Sequence, residues 1–205
     1  MADDNLYDAV HEIEKSLGLP SNFYSSLLEE DDWSFIIKIH SLVEAAVTHI
    51  LVVASGKQEL INVFTLLELS DNRKGKLAFI KDMNLLEKKY RRFIKTLSEL
   101  RNSLVHDIKN VGFSFDDYFK KLNPEKRKSF VEAMSLGFNE KLEINGKQFT
   151  FKDHIENKPK ESIWLATMVL LAEIYISKMY VEIKVKYLDL AEQLMKGTPN
   201  PNNKT

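Results

Sequence analysis

Residues 33–53 read Trp33-Ser34-Phe35-Ile36-Ile37-Lys38-Ile39-His40-Ser41-Leu42-Val43-Glu44-Ala45-Ala46-Val47-Thr48-His49-Ile50-Leu51-Val52-Val53, the longest apolar run of the chain. On a helix, this sequence places apolar side chains on nearly every face, which is typical of a helix that is buried in a core or crosses a membrane. Lys38 and Glu44 interrupt the run, and charges near the middle of a spanning helix are costly. The run therefore predicts a buried central helix in an all-α domain, with no membrane span.

The composition of the chain is that of one soluble domain. At 205 residues, 44% hydrophobic and 29% charged, the chain is long and apolar enough to bury a sizeable core. Its 29 basic and 30 acidic residues nearly cancel, so any site for a polyanion must be local. The absence of cysteine excludes disulfides, thiol nucleophiles and cysteine-ligated zinc. The acidic amino terminus differs from a secretory signal, which predicts a cytoplasmic protein.

Helical spacing of apolar residues recurs on both sides of this run. Between residues 141 and 151, two alternating segments flank Asn145-Gly146, a strong hairpin signal. Residues 197–205 have too little apolar content to fold, so we expect a single domain over residues 1–196 and a disordered tail. We predict helices over residues 4–17, 33–53, 59–68, 76–83, 87–107, 118–122, 124–136 and 161–195.

The helix over residues 87–107 carries the stretch Arg101-Asn102-Ser103-Leu104-Val105-His106. A rotation of 100° per residue gathers an apolar stripe on one face of this helix. Asn102 and His106, four residues apart, share the polar face. The predicted core stripe is Tyr90, Phe93, Leu97, Leu100, Leu104 and Ile108, and the predicted polar face is Lys88, Arg91, Arg92, Lys95, Glu99, Asn102 and His106.

Arg101 is the anomaly, because the same arithmetic places it roughly 40° from the centre of the stripe. An arginine on the core side must extend to solvent or find an acidic partner. Glu44 is a candidate partner, since it lies on a narrow polar stripe of the apolar helix with His40 and Thr48. Either Arg101 and Glu44 form a structural pair, or Glu44 holds a guanidinium that faces a phosphate, and the two alternatives are compatible.

His106 also has two interpretations. A histidine near a helix carboxyl terminus commonly serves the helix dipole or occupies a permissive site. Alternatively, histidine changes charge near neutral pH, and an imidazole beside an amide and an arginine can move a proton to or from a ribose 2′-hydroxyl or a leaving 5′-oxygen. That chemistry needs no metal ion.

Arg101-Asn102 followed by His106 resembles the arginine-polar-x3-histidine signature of the HEPN superfamily. Residues 33–53 are similar to the long buried second helix of that family. The closest likeness is to the mannitol-operon repressor branch, and the resemblance covers roughly residues 30 to 120. The segments that carry it are Leu100-Arg101-Asn102-Ser103-Leu104-Val105-His106-Asp107, Phe113-Ser114-Phe115-Asp116-Asp117 and Gly75-Lys76-Leu77-Ala78-Phe79-Ile80.

This resemblance implies an antiparallel HEPN-like helical bundle, here with a small β-hairpin insertion. It also implies a homodimer in which the motif helices of two subunits form a cleft that cuts RNA without a metal ion or cofactor. In that cleft Arg101 would bind the scissile phosphate, His106 would transfer protons and Asn102 would orient either group. A dimer also overcomes the separation of roughly 140° between Arg101 and His106 on one helix.

Basic residues upstream of the motif are candidates for RNA binding. Lys88, Arg91, Arg92 and Lys95 lie on the polar face and could lead a phosphate backbone towards the motif, or they are simply solvated. Glu99 lies among them and would repel phosphate unless Lys95 or Arg92 neutralises it.

A different function class stays open. In the mannitol-operon repressor branch the fold is thought to serve regulation, and such a domain can bind nucleotide, nucleic acid or a protein partner without catalysis. The sequence shows no helix-turn-helix with a basic recognition helix. The alternatives are thus a toxin or defence ribonuclease, with an antitoxin as its partner, and a transcriptional regulator with a regulatory partner.

Overall fold

A computed structural model of the chain describes residues 2–136, 141–144 and 147–197. The fold is all-α. Short 3₁₀ turns at Leu27–Glu29, Gln58–Leu60 and Ile108–Gly112 join some of the helices. The α-helices among the described residues are α1 (Ala2–Ser16), α2 (Phe23–Ser26), α3 (Asp32–Ser55), α4 (Ile61–Leu66), α5 (Lys76–Asp82), α6 (Lys88–Val105), α7 (Phe115–Lys121), α8 (Pro124–Met134), α9 (Phe151–Asn157) and α10 (Pro159–Gly197).

Helix α3 lies at the centre of the core. It begins where the Asp31 carboxylate accepts a hydrogen bond of 2.9 Å from the backbone N–H of Ser34, and it ends at Gly56, whose φ of 65° suits glycine. Twelve of its residues are buried, and α4, α5, α6 and α10 pack around it. By length and composition alone, both α3 and α10 could cross a membrane. The prediction of a buried central helix is confirmed.

Two neighbours of α3 run in opposite directions. Ser98 of α6 faces His40, and the backbone N–H of Phe115, which follows α6, donates to Asp32 at the start of α3. Helix α6 is therefore antiparallel to α3. Lys160 at the start of α10 lies 3.8 Å from the Asp32 carboxylate, so α10 begins beside the start of α3. Further along, Lys178 is close enough to His49 to influence its pKa, so α10 runs parallel to α3.

Helices α1 and α2 are tied to α10 by buried polar contacts. The backbone N–H of Tyr24 donates to the Glu14 carboxylate at 2.7 Å. The Tyr24 ring stacks on Trp164, whose indole N–H donates to the Tyr24 carbonyl at 3.0 Å, and the Tyr24 hydroxyl donates to the Trp164 carbonyl. Burial raises the pKa of the Tyr24 hydroxyl well above its usual value. These contacts fix the amino-terminal segment against the first turns of α10.

A strand pair follows α8. Strand β1 (Lys141–Ile144) pairs antiparallel with β2 (Lys147–Thr150), in a register that joins Lys141 to Thr150. Thr150 then caps α9 through a reciprocal bond pair with Asp153. The predicted turn Asn145-Gly146 lies outside the described residues, as do residues 198–205 of the predicted tail.

The prediction that Ile108 belongs to the buried stripe of α6 is wrong. Leu104 is buried, with 5% of its surface exposed, whereas Ile108 is 80% exposed. Helix α6 ends at Val105, and the side-chain amide of Asn110 donates to the carbonyl of Ser103 at 3.0 Å. Because the helical rotation stops there, Ile108 leaves the stripe on which Tyr90, Phe93, Leu97, Leu100 and Leu104 are buried.

Paired alanine substitutions test this difference by urea unfolding. We expect Leu104→Ala to lower the free energy of unfolding by about 2–5 kcal/mol, because it empties a packed site. Ile108→Ala removes an exposed side chain and should change it by less than about 0.5 kcal/mol. Equal losses from the two variants would mean that Ile108 is packed in solution.

Candidate functional site

Arg101 lies half-buried on α6, at the edge that faces α3. Its Nη1 donates to the side-chain oxygen of Asn102 at 3.0 Å. Its Nε is buried and has no hydrogen-bond partner among the described residues. Within that part of the chain, no carboxylate oxygen lies within 4.0 Å of the guanidinium. The guanidinium is thus held by an amide and not neutralised by an acid.

The expected pair between Arg101 and Glu44 is not formed. Glu44 instead accepts a hydrogen bond of 2.6 Å from the ammonium of Lys76, the first residue of α5. The Lys76 side chain is only 2% exposed, while that of Glu44 is 35% exposed. A buried ammonium is very costly without a counter-ion, so pairing Glu44 with Lys76 stabilises the fold more than pairing it with the half-buried Arg101 would.

His40 extends the polar contacts between α3 and α6. Its Nε2 lies 3.1 Å from the Ser98 hydroxyl oxygen, and the Ser98 hydroxyl donates to the Ile94 carbonyl at 2.9 Å. Because the hydroxyl proton is already used, Ser98 must accept from Nε2–H, which assigns the tautomer. The His40 Nδ1 is then an acceptor, and it is buried with no partner among the described residues. We call His40, Glu44, Lys76, Ser98 and Arg101 the α3–α6 polar cluster.

The electrostatics of this cluster keep His40 neutral. The pKa of His40 is lowered to about 4, mainly because burial disfavours the charged imidazole. The charges of Arg101 and Lys76 also lower this pKa, while those of Glu44 and Glu68 raise it. The charge of Arg101 is therefore close enough to act on the imidazole. A buried donor, Arg101 Nε, and a buried acceptor, His40 Nδ1, both remain without partners in this cluster.

His106 occupies the exposed carboxyl end of α6. Its backbone is still helical, with φ of −77° and ψ of −17°, and Asp107 then starts the following 3₁₀ turn. Asn102 lies on the same face, but its side-chain oxygen binds Arg101, and no hydrogen bond joins it to His106 within the described residues. Chemically, this end of the helix offers a fixed guanidinium and an accessible imidazole.

Three apolar side chains are exposed beside His106. Val105 ends α6, and Ile108 and Val111 lie in the next 3₁₀ turn. We call these three residues the motif-end patch. The exposed end of α6 therefore presents apolar as well as polar side chains.

The predicted basic residues fall into two groups. Arg92 lies 3.1 Å from the Glu132 carboxylate, and Lys95 lies 3.7 Å from the Glu99 carboxylate. Glu99 is therefore paired with Lys95, one of the two basic residues that could neutralise it. Lys88 is exposed and Arg91 half-buried, and neither has an acidic partner in the described part of the chain. Of the four predicted RNA-binding residues, these two are therefore the ones available to a phosphate backbone.

Lys76 and Ser98 were missed as site residues. Ser98 lies three residues before Arg101, so helical spacing alone places the two on neighbouring positions of α6. Lys76 had no such signal, because it is 32 residues from Glu44 along the chain. No group of three or more His, Asp or Glu side chains in the described residues is arranged to hold a metal ion.

A groove of about 600 Å³ lies on the other side of Glu44. It is formed by α1, α3, α4 and α5, and Lys76 lines it together with Glu44. Burial lowers the pKa of His49 in this groove, and the Nε2 of that residue is buried without a partner among the described residues. The groove and the α3–α6 polar cluster therefore share one ion pair.

Comparisons of the chain with protein-family models, with curated proteins and with solved structures find no match in any of the three.

The pH dependence of stability tests the state of His40. The unfolded chain protonates this residue near 6.5 and the folded chain near 4, so between these values the unfolded state binds more protons and stability falls as the pH is lowered. We expect wild type to lose about 2 kcal/mol more than His40→Gln between pH 7 and pH 5, measured by urea unfolding. Equal losses would contradict a buried neutral His40.

The ion pair of Glu44 with Lys76 gives an asymmetric prediction. Glu44→Ala leaves a buried ammonium without its partner, so we expect a loss of about 3–5 kcal/mol in the free energy of unfolding. Lys76→Met keeps most of the buried volume and leaves a carboxylate that water can reach, so we expect less than about 1.5 kcal/mol. Glu99→Ala, which removes an exposed ion pair, is the control and should cost less than about 0.5 kcal/mol. The reverse order of the first two losses would refute the assignment.

Proposed function

We propose that the protein is a metal-independent endoribonuclease of the toxin or defence type, acting as a homodimer in the cytoplasm. One observation carries the proposal. The guanidinium of Arg101 is held in place by Asn102 and has no acidic partner among the described residues, so it is available to an anionic ligand. A planar guanidinium suits the two oxygens of a phosphodiester.

The proposed reaction is an internal transfer at phosphorus. The ribose 2′-oxygen attacks the phosphorus and loses its proton to a base, the bond from phosphorus to the 5′-oxygen breaks, and that oxygen receives a proton. The products are a 2′,3′-cyclic phosphate and a 5′-hydroxyl. Arg101 stabilises the charge on the phosphate, and His106 serves in the proton transfer. The exposure of His106 supports this role, because an incoming RNA can reach the imidazole.

A second subunit completes the proposed site. Arg101 and His106 point roughly 140° apart on α6, so one helix cannot direct both groups at the same phosphate without help from another. The motif-end patch supports contact with a second copy at this place, since its three apolar residues adjoin His106. The HEPN-like resemblance of the motif favours the same arrangement, and for a toxin of this type an antitoxin protein is the expected partner.

The groove beside Glu44 favours a second function, namely regulation by a bound small molecule. Its volume of about 600 Å³ falls within the range of ligand sites. A regulator of the mannitol-operon repressor type would use this groove, and its motif would bind nucleic acid without cutting it.

Cleavage of labelled RNA in the presence of EDTA separates the two functions. We expect wild type to produce fragments with cyclic-phosphate ends, and we expect Arg101→Ala and His106→Ala each to reduce the rate by about 100-fold or more. A substrate that carries a single 2′-deoxyribose at the cleaved position should resist, because it lacks the attacking oxygen.

Matched variants control for general loss of charge. Arg73→Ala and His11→Ala remove an exposed arginine and an exposed histidine elsewhere, and both should cleave as wild type does. If folded wild type cleaves no RNA over a broad set of substrates, or if Arg101→Ala and His106→Ala cleave as fast as wild type, the nuclease proposal fails.

RNA affinity as a function of salt tests the two groups of basic residues. We expect Lys88→Ala and Arg91→Ala each to lower the slope of log affinity against log salt by about 0.7. Arg92→Ala and Lys95→Ala should change the slope less, because their carboxylate partners already compete with phosphate. Filter binding with the uncleavable RNA measures all four. Equal slopes for wild type and the first two variants would exclude this path.

A further inference from the structure

The second half of α10 is an exposed helix with an apolar stripe. Its first half is buried in the core, and the helix then continues to Gly197. Over residues 176–195 it extends roughly 30 Å. Six of its exposed apolar residues share one face and have exposed fractions from 50% to 71%, and we call them the α10 stripe: Ile176, Tyr180, Ile183, Tyr187, Leu190 and Leu194. Met179, Val185, Leu188 and Met195 are exposed outside this stripe.

The spacing of the α10 stripe identifies the shape of its partner. Successive members lie four, three, four, three and four residues apart. At 100° per residue the six side chains fall within an arc of about 80°. A narrow seam that repeats every 3.5 residues is the pattern by which one helix packs along another in a coiled coil. A sheet edge or a flat surface would not require this repeat.

We propose that the α10 stripe pairs with the α10 stripe of a second copy of the chain, as a short coiled coil. This proposal rests on the exposure and spacing of α10 and not on the proposed nuclease function. With about 150–250 Å² for each large side chain, the six exposed residues leave roughly 700 Å² to cover on each copy. Two such surfaces reach the area of a stable, specific interface.

The lysines that flank the stripe favour a parallel pair. In a parallel, in-register pair, Lys186 lies beside the partner's Ala191, and Met179 lies beside the partner's Lys184. In an antiparallel pair centred on the stripe, Lys184 would face the same residue of the partner, and so would Lys186. Like charges in contact are unfavourable, so the parallel pair has the lower electrostatic cost.

The remaining face of α10 argues against a membrane as the occupant. From Lys178 to Glu192 the helix carries three lysines and three acidic residues. Six ionisable side chains over this length make spanning costly, and the balance of charge differs from the basic face of an interfacial helix. The acidic residues Glu182, Asp189 and Glu192 lie opposite the stripe, where a coiled coil exposes its polar positions.

The mass of the purified chain in solution, measured by light scattering and sedimentation, tests the pairing. We expect wild type to have about twice the monomer mass of 23.8 kDa. Ile183→Lys places a charge in the seam and should weaken self-association by about 100-fold or more. Val185→Lys is the matched control, since it places the same charge about 180° from the stripe centre and should leave the dimer intact. A wild type that stays monomeric at ~0.1 mM would overturn the proposal. Equal loss of dimer in both variants would also overturn it. If the monomeric wild type bound to lipid vesicles, the stripe would be assigned to a membrane instead.

Disulfide trapping tests the orientation, and the chain offers a clean background because it has no cysteine. Leu190→Cys should form a disulfide-linked dimer under oxidation, because a parallel pair places the two introduced thiols side by side. In the antiparallel arrangement this residue lies opposite the partner's Tyr180, and the two thiols are roughly 15 Å apart along the helix axis. If oxidation links Leu190→Cys only to the Tyr180→Cys variant in a mixture, the parallel arrangement is wrong. A dimer that forms through the α10 stripe but cleaves no RNA would sink only the nuclease proposal.

Discussion

The polar stripe of α3 is the constraint on which the arrangement of its neighbours depends. Because His40 and Thr48 are buried, their polar atoms must find partners within the core, and a buried polar group left unpaired costs about 1–3 kcal/mol. Thr48 donates to the Glu44 carbonyl of its own helix. His40 uses Ser98 of α6, and Glu44 uses Lys76 of α5. These contacts set the position of α5 and α6 against the helix that the rest of the chain surrounds.

The ion pair between Glu44 and Lys76 also determines which partner Arg101 has. Since Lys76 occupies the only acidic side chain of the polar cluster, Arg101 is left with an amide as its partner. Among the described residues this guanidinium has no carboxylate partner, and it lies near the exposed carboxyl end of α6. His40, whose pKa burial lowers to about 4, stays neutral at pH 7 and adds no second positive charge beside Arg101. The pairing of Glu44 with Lys76 thus leaves the Arg101 guanidinium free of a carboxylate among the described residues, which is the feature on which the proposed function rests.

The parts of this fold that depend on local periodicity were predictable, and those that depend on long-range partners were not. The length and composition of residues 33–53 predicted the buried helix α3, and rotation along α6 placed Arg101 on the core side. The same rotation failed at Ile108, because it assumes a helix that continues past the carbonyls capped by Asn110. Glu44 was a candidate partner for Arg101 because it lies on the polar stripe of the apolar helix, but its partner is Lys76. Lys76 lies on a helix of seven residues, whose position no periodicity fixes.

The motif-end patch and the α10 stripe lie at opposite ends of α3, and this separation limits how two copies can pair. Helix α6 is antiparallel to α3 and ends in the motif, whereas α10 is parallel to α3 and extends beyond the core at the other end. If the α10 stripes of two copies paired antiparallel, the two His106 residues would lie at opposite ends of the assembly. A parallel pair leaves both motif-end patches at one end, facing the same direction. Of the two orientations, only the parallel one is compatible with a cleft built from two motif helices, and the lysines flanking the α10 stripe favour it independently.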